Sequence, residues 1–286
     1  MGSIDAASAH AGEQIQLSAV ILSFNSRRHI EHCVRSLAQA LGQLDGDHEI
    51  HVVENGSTDG SAELLRVLEQ EFSPLLRVIY NDRNLGTTVS RNQALRRVRG
   101  RYVLIMDSDA WVEAPVLRTL MRTLSENPQC GIVVPRLEYP DGRYQLSTDV
   151  FPTLIRKLYR LVRLRDLEAR AQPPTQPCTV DYAISALWLL RSSLLNKVGL
   201  LDEKIFYSPE DVDYCLRVWK AGYTVIFDPR VTAVHDAQEL SRGAKLNGFA
   251  TRHVKGLLYL FWKHRYFAGL TGVYRQISKH SVASPD

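Results

Sequence analysis

Asp107 and Asp109 stand one residue apart where the apolar run Tyr102-Val-Leu-Ile-Met106 gives out. Alternate side chains of an extended strand share a face, so two carboxylates at this spacing converge as the strand ends. Convergent hard oxygens suit Mg²⁺ or Mn²⁺, and such a cation can carry a diphosphate that the carboxylates alone would repel. A metal-diphosphate site is the leading reading. The plain alternative is a solvated Asp-Ser108-Asp turn closing an ordinary strand.

Four further groups could serve such a site. Glu54 ends the run Glu49-Ile-His-Val-Val-Glu54, where its carboxylate could accept a ring N–H of uracil, thymine or guanine. Asn55-Gly-Ser-Thr-Asp59-Gly-Ser61 follows, offering backbone N–H groups at a helix start, or simply a cap and a turn. Arg91 lies one helix before the Asp107 strand, within reach of a phosphate or base if it is not a surface residue. Glu210 and Asp211 head an amphipathic stretch just after Tyr207, and a helix dipole would keep such carboxylates ionised, as a general base for a hydroxyl must be. Capping is the alternative there. His235 closes Val231-Thr-Ala-Val-His235, and its neutral imidazole could complete the coordination of a cation on Asp109.

The elements that must position these groups alternate regularly. Apolar runs predict strands over Leu17 to Phe24, Glu49 to Glu54, Leu76 to Tyr80 and Arg101 to Met106; amphipathic stretches predict helices over Arg28 to Leu44, Ala62 to Phe72 and Thr88 to Arg97. That βαβαβαβ order predicts a largely parallel sheet with helices on both faces, and ligands of such sheets sit at the strands' carboxyl ends. Asn25, Glu54 to Asp59 and Asp107 to Asp109 all fall at that edge.

Beyond Ile132 the order changes. A strand over Ile132 to Leu137 precedes a hairpin or loop to Asp149, a basic helix over Phe151 to Ala171, and a Pro-rich break at Pro173 to Pro177. The sheet resumes over Val180 to Leu190. Helices follow at Arg191 to Gly199 and Asp211 to Ala221, then a strand over Tyr223 to Phe227 and a turn at Asp228-Pro229. There is no internal repeat.

The chain has 286 residues, 45% of them hydrophobic, enough for one large α/β unit with a helical appendage. Three spans are expected: a flexible leader over 1–16, a catalytic unit over 17–240, and a basic amphipathic helical segment over 241–286. No apolar run reaches the length of a membrane span, and the polar opening has no signal-peptide core, so a cytoplasmic protein is expected. Four scattered cysteines fit a reducing compartment. The net charge of +4 argues against a nucleic-acid partner, but the excess is local, in Arg156 to Arg170 and Arg252 to Lys279. Those basic stretches could lie on an anionic membrane or bury one face in the fold.

Together the motifs are specific. Ser23-Phe24-Asn25, Val52-Val53-Glu54-Asn55-Gly56-Ser57-Thr58-Asp59-Gly60-Ser61, Asn84-Leu85-Gly86, Asp107-Ser108-Asp109, Val198-Gly199-Leu200-Leu201-Asp202 and Glu210-Asp211-Val212-Asp213 resemble family 2 glycosyltransferases in order and spacing. The arrangement is most similar to the rhamnosyltransferase-like branch that builds bacterial cell-surface polysaccharides. The resemblance covers residues 17 to 240 and implies a GT-A fold, divided into a nucleotide-sugar half (17–110) and an acceptor half (111–240), with an inverting mechanism and a divalent cation, Mn²⁺ or Mg²⁺. It implies a nucleoside-diphosphate sugar donor and a glycan or lipid-linked glycan acceptor. Asp211, beside Glu210, would be the base, and Asp107, Asp109 and His235 would hold the cation. Ser23, Phe24, Asn25, Glu54, Asn55, Asp59, Arg91 and Ser108 would line the nucleotide, with Arg242 closing over the phosphates. Tyr207 and Trp188 would face the acceptor, unless Trp188 merely packs. The sequence departs from the pattern in having Glu54 where Asp is common and in following His235 with Asp236-Ala-Gln-Glu-Leu-Ser241-Arg242-Gly243 rather than a Gly-rich loop.

Two rivals remain at this level. A haloacid-dehalogenase-like phosphatase also places Asp-x-Asp after a strand, but on its leading strand and followed by Gly-Thr, not after three βα units and before Ala110-Trp111. A non-catalytic sugar-nucleotide or glycan-binding module would keep the fold without turnover.

Overall fold

The computed structural model describes residues 15–153, 156, 163, 172–237, 248–266 and 269–281. The expected leader up to residue 14, most of the basic helix over Phe151 to Ala171, and Arg242 lie outside the described residues.

The first half follows the expected alternation. Strands β1 (Leu17–Ser23), β2 (His48–Asn55), β3 (Leu76–Asn81) and β4 (Tyr102–Asp107) alternate with helices α1 (Ile30–Leu41), α2 (Ser61–Glu71) and α3 (Thr87–Leu95). All three strand pairings among β3, β2, β1 and β4 are parallel. The period-two geometry of β1 sorts its side chains: Leu17, Ala19 and Ile21 join one core with Val34 and Leu37 of α1, while Val20 joins a second core with Ala94 and Leu95 of α3. Helices therefore cover both faces, as expected.

Helix α4 (Ala114–Glu126) was not among the sequence expectations. It places Val116, Leu117, Leu120 and Leu124 at helical spacing on the first core. The remaining strands are β5 (Ala110–Trp111), β6 (Cys130–Glu138), β7 (Tyr144–Gln145), β8 (Thr148–Asp149), β9 (Cys178–Thr179), β10 (Tyr182–Ala183), β11 (Leu187–Arg191) and β12 (Thr224–His235). The remaining described helices are α5 (Ser192–Val198), α6 (Glu210–Lys220), α7 (Gly248–His264) and α8 (Thr271–Ser281).

The main sheet runs β3-β2-β1-β4-β11-β6-β12-β5. It is parallel through its first four strands and mixed beyond them. Strand β11 lies antiparallel between β4 and β6 because it starts at the carboxyl edge, Leu187 beside Met106, and descends from there. The expected hairpin before Asp149 resolves into β7 and β8. The expected turn at Asp228-Pro229 is a bulge inside one continuous strand: β12 skips register against β6 between Asp228 and Thr232, which accommodates a proline that cannot donate to the ladder.

The C-terminal helices are part of the second core. Leu257, Leu260 and Phe261 of α7 and Val273 and Ile277 of α8 are buried with Val212 and Leu216 of α6. Helix α6 carries Glu210, Asp211 and Asp213 in its first turn and Arg217 and Lys220 in its last, each charge favoured by the dipole end it occupies.

Candidate active site

Strands β1, β2, β4 and β12 end at one sheet edge, and β11 begins there. Asp107 is the last residue of β4, and its N–H donates to the Ala186 carbonyl at 3.0 Å. The short strand β5 pairs antiparallel with the end of β12 so that His235 stands opposite Ala110. That register brings the imidazole onto the aspartates. His235 Nε2 lies 3.3 Å from Asp109 Oδ1 and 3.8 Å from Asp107 Oδ2. One ligand atom from each of the three residues lies within 4.8 Å of the others. In an octahedron with bonds of about 2.0–2.1 Å, adjacent ligands stand about 3 Å apart and opposite ones about 4 Å, so the three expected ligands are near enough to close on one divalent cation with small side-chain movements.

Gln145, which sequence reasoning missed, fixes the histidine. Its Oε1 lies 2.7 Å from His235 Nδ1, and both side chains are buried. With Nδ1–H donated to Gln145, loss of the Nε2 proton would leave the Nε2 lone pair available to a bound cation, the tautomer a metal ligand needs. Nothing local in the sequence marks Gln145, because β7 reaches His235 only through its pairing with β6.

The cleft is strongly anionic. Burial pushes the Tyr207 hydroxyl up to about 12, helped by the charges of Glu210, Asp107, Asp109 and Asp211. The buried Cys33 thiol is raised by burial and then by Asp109 and Asp107. Burial alone would depress His235, but its hydrogen bond to Asp109 and the charges of Asp109, Asp107 and Asp236 override it and raise it. Several groups thus feel a concentration of negative charge that a bound cation would relieve.

Arg91 is neither a surface residue nor free for a phosphate, which corrects the expectation that it lines the nucleotide. It is buried, donates from Nη2 to Asp107 and from Nη1 to Ser185 Oγ at 2.7 Å, and stands 3.6 Å from Glu210. Ser185 Oγ in turn donates to Glu210 Oε1 at 3.0 Å. The guanidinium and Ser185 therefore tie the metal-side carboxylate to the acceptor-side pair. Within that pair Glu210 is buried, and burial together with the Asp211 charge pushes its carboxyl up to about 8. Asp211 is the more exposed of the two.

At the nucleotide end the loops brace one another. Asn25, at a positive φ of 50°, accepts from Thr58 N–H and donates its own N–H to Ser57 Oγ. Glu54 accepts from the N–H groups of Gly56 and Ser57, at 3.2 and 2.7 Å. Ser23 is buried against Ser26, while Phe24 and Ser108 are half-buried at the edge. One expected nucleotide contact is structural instead. Asn55 is buried, and its Oδ1 accepts from Leu85 N–H, Ser90 Oγ and Asn81 Nδ2, holding the Asn84-Leu85-Gly86 loop. Asp59 is exposed and accepts from Arg27 N–H and from the N–H and hydroxyl of Ser61, bracing the turn before α2.

Trp188 does not face an acceptor. It is fully buried in β11, stacked on Tyr214 with centroids 5.8 Å apart, and its Nε1–H donates to the Ala183 carbonyl. The even residues of β11 point into the second core, which decides its orientation. Tyr207 does lie half-buried at the site, in a segment held from two sides. Thr87 N–H donates to the Phe206 carbonyl at 2.6 Å and Thr88 Oγ1 to that of Ile205, while α7 packs on the other side, with Arg252 over the Phe206 ring at 4.1 Å.

Residues 18–199, more than half of the chain, match the family described as Glycosyl transferase family 2. The chain belongs to glycosyltransferase family 2. A similar relative is the N-acetylglucosaminyl-diphospho-decaprenol L-rhamnosyltransferase of Mycobacterium tuberculosis, 25% identical over 269 residues that cover 87% of this glycosyltransferase and 85% of that one. Among solved structures, GalNAc-T7 with UDP, GalNAc and Mn²⁺ superposes with a TM-score of 0.64 at 14% identity, over 94% of this chain and 55% of that one. The mannosyltransferase PcManGT of Pyrobaculum calidifontis, with GDP-Man and Mn²⁺, gives 0.62 at 19% identity, over 95% and 71%. The fold is GT-A, as the motifs implied. Membership of this family sets aside the phosphatase reading. Asp211 and His235 fall beyond the matched stretch.

Proposed function

We propose that the chain is a metal-dependent inverting glycosyltransferase. It moves a sugar from a nucleoside diphosphate to a hydroxyl of a glycan or lipid-linked glycan in cell-surface polysaccharide synthesis, in peripheral contact with the inner face of the membrane. The observation that carries this reading is the convergence of Asp107, Asp109 and His235 at the same edge as the Glu210–Asp211 helix start. Asp107, Asp109 and His235 would hold Mn²⁺ or Mg²⁺, and the cation would supply positive charge for the diphosphate leaving group. Support also comes from structures of the same fold, one holding UDP, GalNAc and Mn²⁺ and another GDP-Man and Mn²⁺.

Asp211 is the base. Its carboxylate takes the proton from the acceptor hydroxyl as the oxygen attacks the anomeric carbon opposite the leaving diphosphate. Glu210, whose carboxyl burial and the Asp211 charge push up to about 8, is poorly suited to that step near neutrality. It positions Ser185 and Arg91 instead. Glu54 and Asn25 hold the base of the nucleotide, and Tyr207 lines the acceptor side.

Release of UDP, dTDP or GDP from a panel of donor sugars, with and without glycan acceptors and with EDTA, tests the reading. Acceptor-dependent, EDTA-sensitive release is expected, and the anomeric configuration of the product by NMR reports inversion. Donor binding without release across the panel would favour a non-catalytic binding module.

A further inference from the structure

Helix α7 presents two unlike faces. Its inner face carries Leu257, Leu260 and Phe261 into the second core. On the outer face Val254, Leu258 and Trp262, spaced i, i+4 and i+8, are 54, 56 and 67% exposed. Exposed Lys255 and Arg265 flank that stripe.

The stretch of sequence that contains it is one-sided in charge, although Lys263 is spent on Asp202 and Asp213. Residues 240–285 carry eight of the 35 Lys and Arg and none of the 31 Asp and Glu, so a stretch of formal charge +8 is joined to a remainder of −4. We propose that the outer face of α7 docks the protein on an anionic lipid surface, with Trp262 and Leu258 entering the interface and Lys255 and Arg265 meeting the headgroups. This deepens the functional reading, on which the choice of a membrane-borne acceptor rests.

A lipid surface fits better than a second copy of the chain. A stable protein interface takes about 800 Å² from each partner, far more than three partly exposed side chains in a single row supply. A bilayer asks for less: a shallow apolar stripe, an aromatic at headgroup depth, and cations to meet anionic lipid. The attachment would also orient the enzyme. The inner side of α7 runs against Ser208 and Pro209, immediately before Glu210 and Asp211, so docking through the outer face would hold the segment that carries the acidic pair one helix away from the bilayer.

Co-sedimentation with phosphatidylcholine vesicles, with and without phosphatidylglycerol, at low and high salt tests this. The wild-type chain is expected to pellet with anionic vesicles at low salt and to be released severalfold at high salt. The double variant Leu258→Ser/Trp262→Ser should lose most of that binding with its melting temperature unchanged, and Lys255→Glu should weaken it while leaving the apolar stripe intact. Undiminished pelleting of both variants overturns the proposal, as does no pelleting of the wild type. A dimer in solution that the double variant dissolves would assign the face to a second copy instead. Vesicle binding is read without donor or acceptor: docking without sugar transfer counts against the functional reading, and transfer without docking counts against this one.

Discussion

The backbone of Ser208 runs so close to Gly256 that a Cβ on the glycine would collide with the Ser208 carbonyl oxygen and stand 3.1 Å from Pro209 Cδ. Gly256 is buried in α7 two turns before Lys263 and His264, which bind Asp213 of α6 at 2.6 and 2.8 Å. Helix α7 thus grips both the loop before Glu210–Asp211 and the first turn that carries them. Gly256→Ala should cost about 1–3 kcal/mol of stability, as overpacking does. It should also lower turnover while leaving donor affinity intact. Thermal melts, donor calorimetry and steady-state kinetics on the one variant check this, and unchanged turnover would show that the seam does not position the carboxylates.

The cation site predicts a separation of metal from fold. Asp109→Ala should abolish cation-dependent donor binding by calorimetry without lowering the melting temperature, since it removes charge from an anionic cluster. Gln145→Leu leaves every ligand in place but frees the His235 ring, and should weaken cation affinity about 10–100-fold. Equal cation affinity in Gln145→Leu and the wild type would remove His235 from the ligand set.

For the carboxylate pair the expected split lies between chemistry and binding. Asp211→Asn should lose on the order of a hundredfold or more in turnover and keep its nucleotide affinity. Glu210→Gln preserves a neutral group hydrogen-bonded to Ser185 and should cost far less. If the two variants exchange places in a kinetic comparison, Glu210 is the base.

Acid should loosen the C-terminal helices first. His264 Nδ1 lies 3.1 Å from Lys220 Nζ and its Nε2 2.8 Å from Asp213. Lys220 thus donates to a neutral ring that itself donates to Asp213, and burial, outweighing the Asp213 charge, lowers the histidine. A histidine lowered by folding contributes stability above its unfolded value of about 6.5 and loses it as pH falls below. Burial alone would raise Asp213, but His264, Arg217 and Lys263 hold it well below the carboxylate range, so its contribution disappears only in stronger acid. Melting temperature should therefore fall in two stages, below about pH 6.5 and again below about pH 4. His264→Gln should shrink the first stage, the rest of which comes from His48 and His51, also lowered by burial. Asp213→Asn should cost up to about 3–5 kcal/mol, less to the extent that Lys263 and Arg217 remain partly in water.

Much of the protein was legible in the sequence because it is written in local periods. The runs ending at Ser23, Asn55 and Asp107 are apolar enough to be strands covered on both faces, and the helices between them repeat at 3.6 residues, so the parallel first half and its loaded edge follow without coordinates. The aspartate pair, the acidic start of α6 and the family motifs could be read in the same way. What the tertiary structure decided are pairings between distant segments. The β5–β12 register set His235 on Asp109, and the β6–β7 pairing set Gln145 behind it. The face of β11 turned Trp188 into the core, and the packing of α3 buried Arg91 between Asp107 and Glu210. Gly256 acquired its role only where α7 met Ser208. No local pattern encodes such contacts: a strand's register, and hence the face every side chain takes, depends on which neighbour it pairs with.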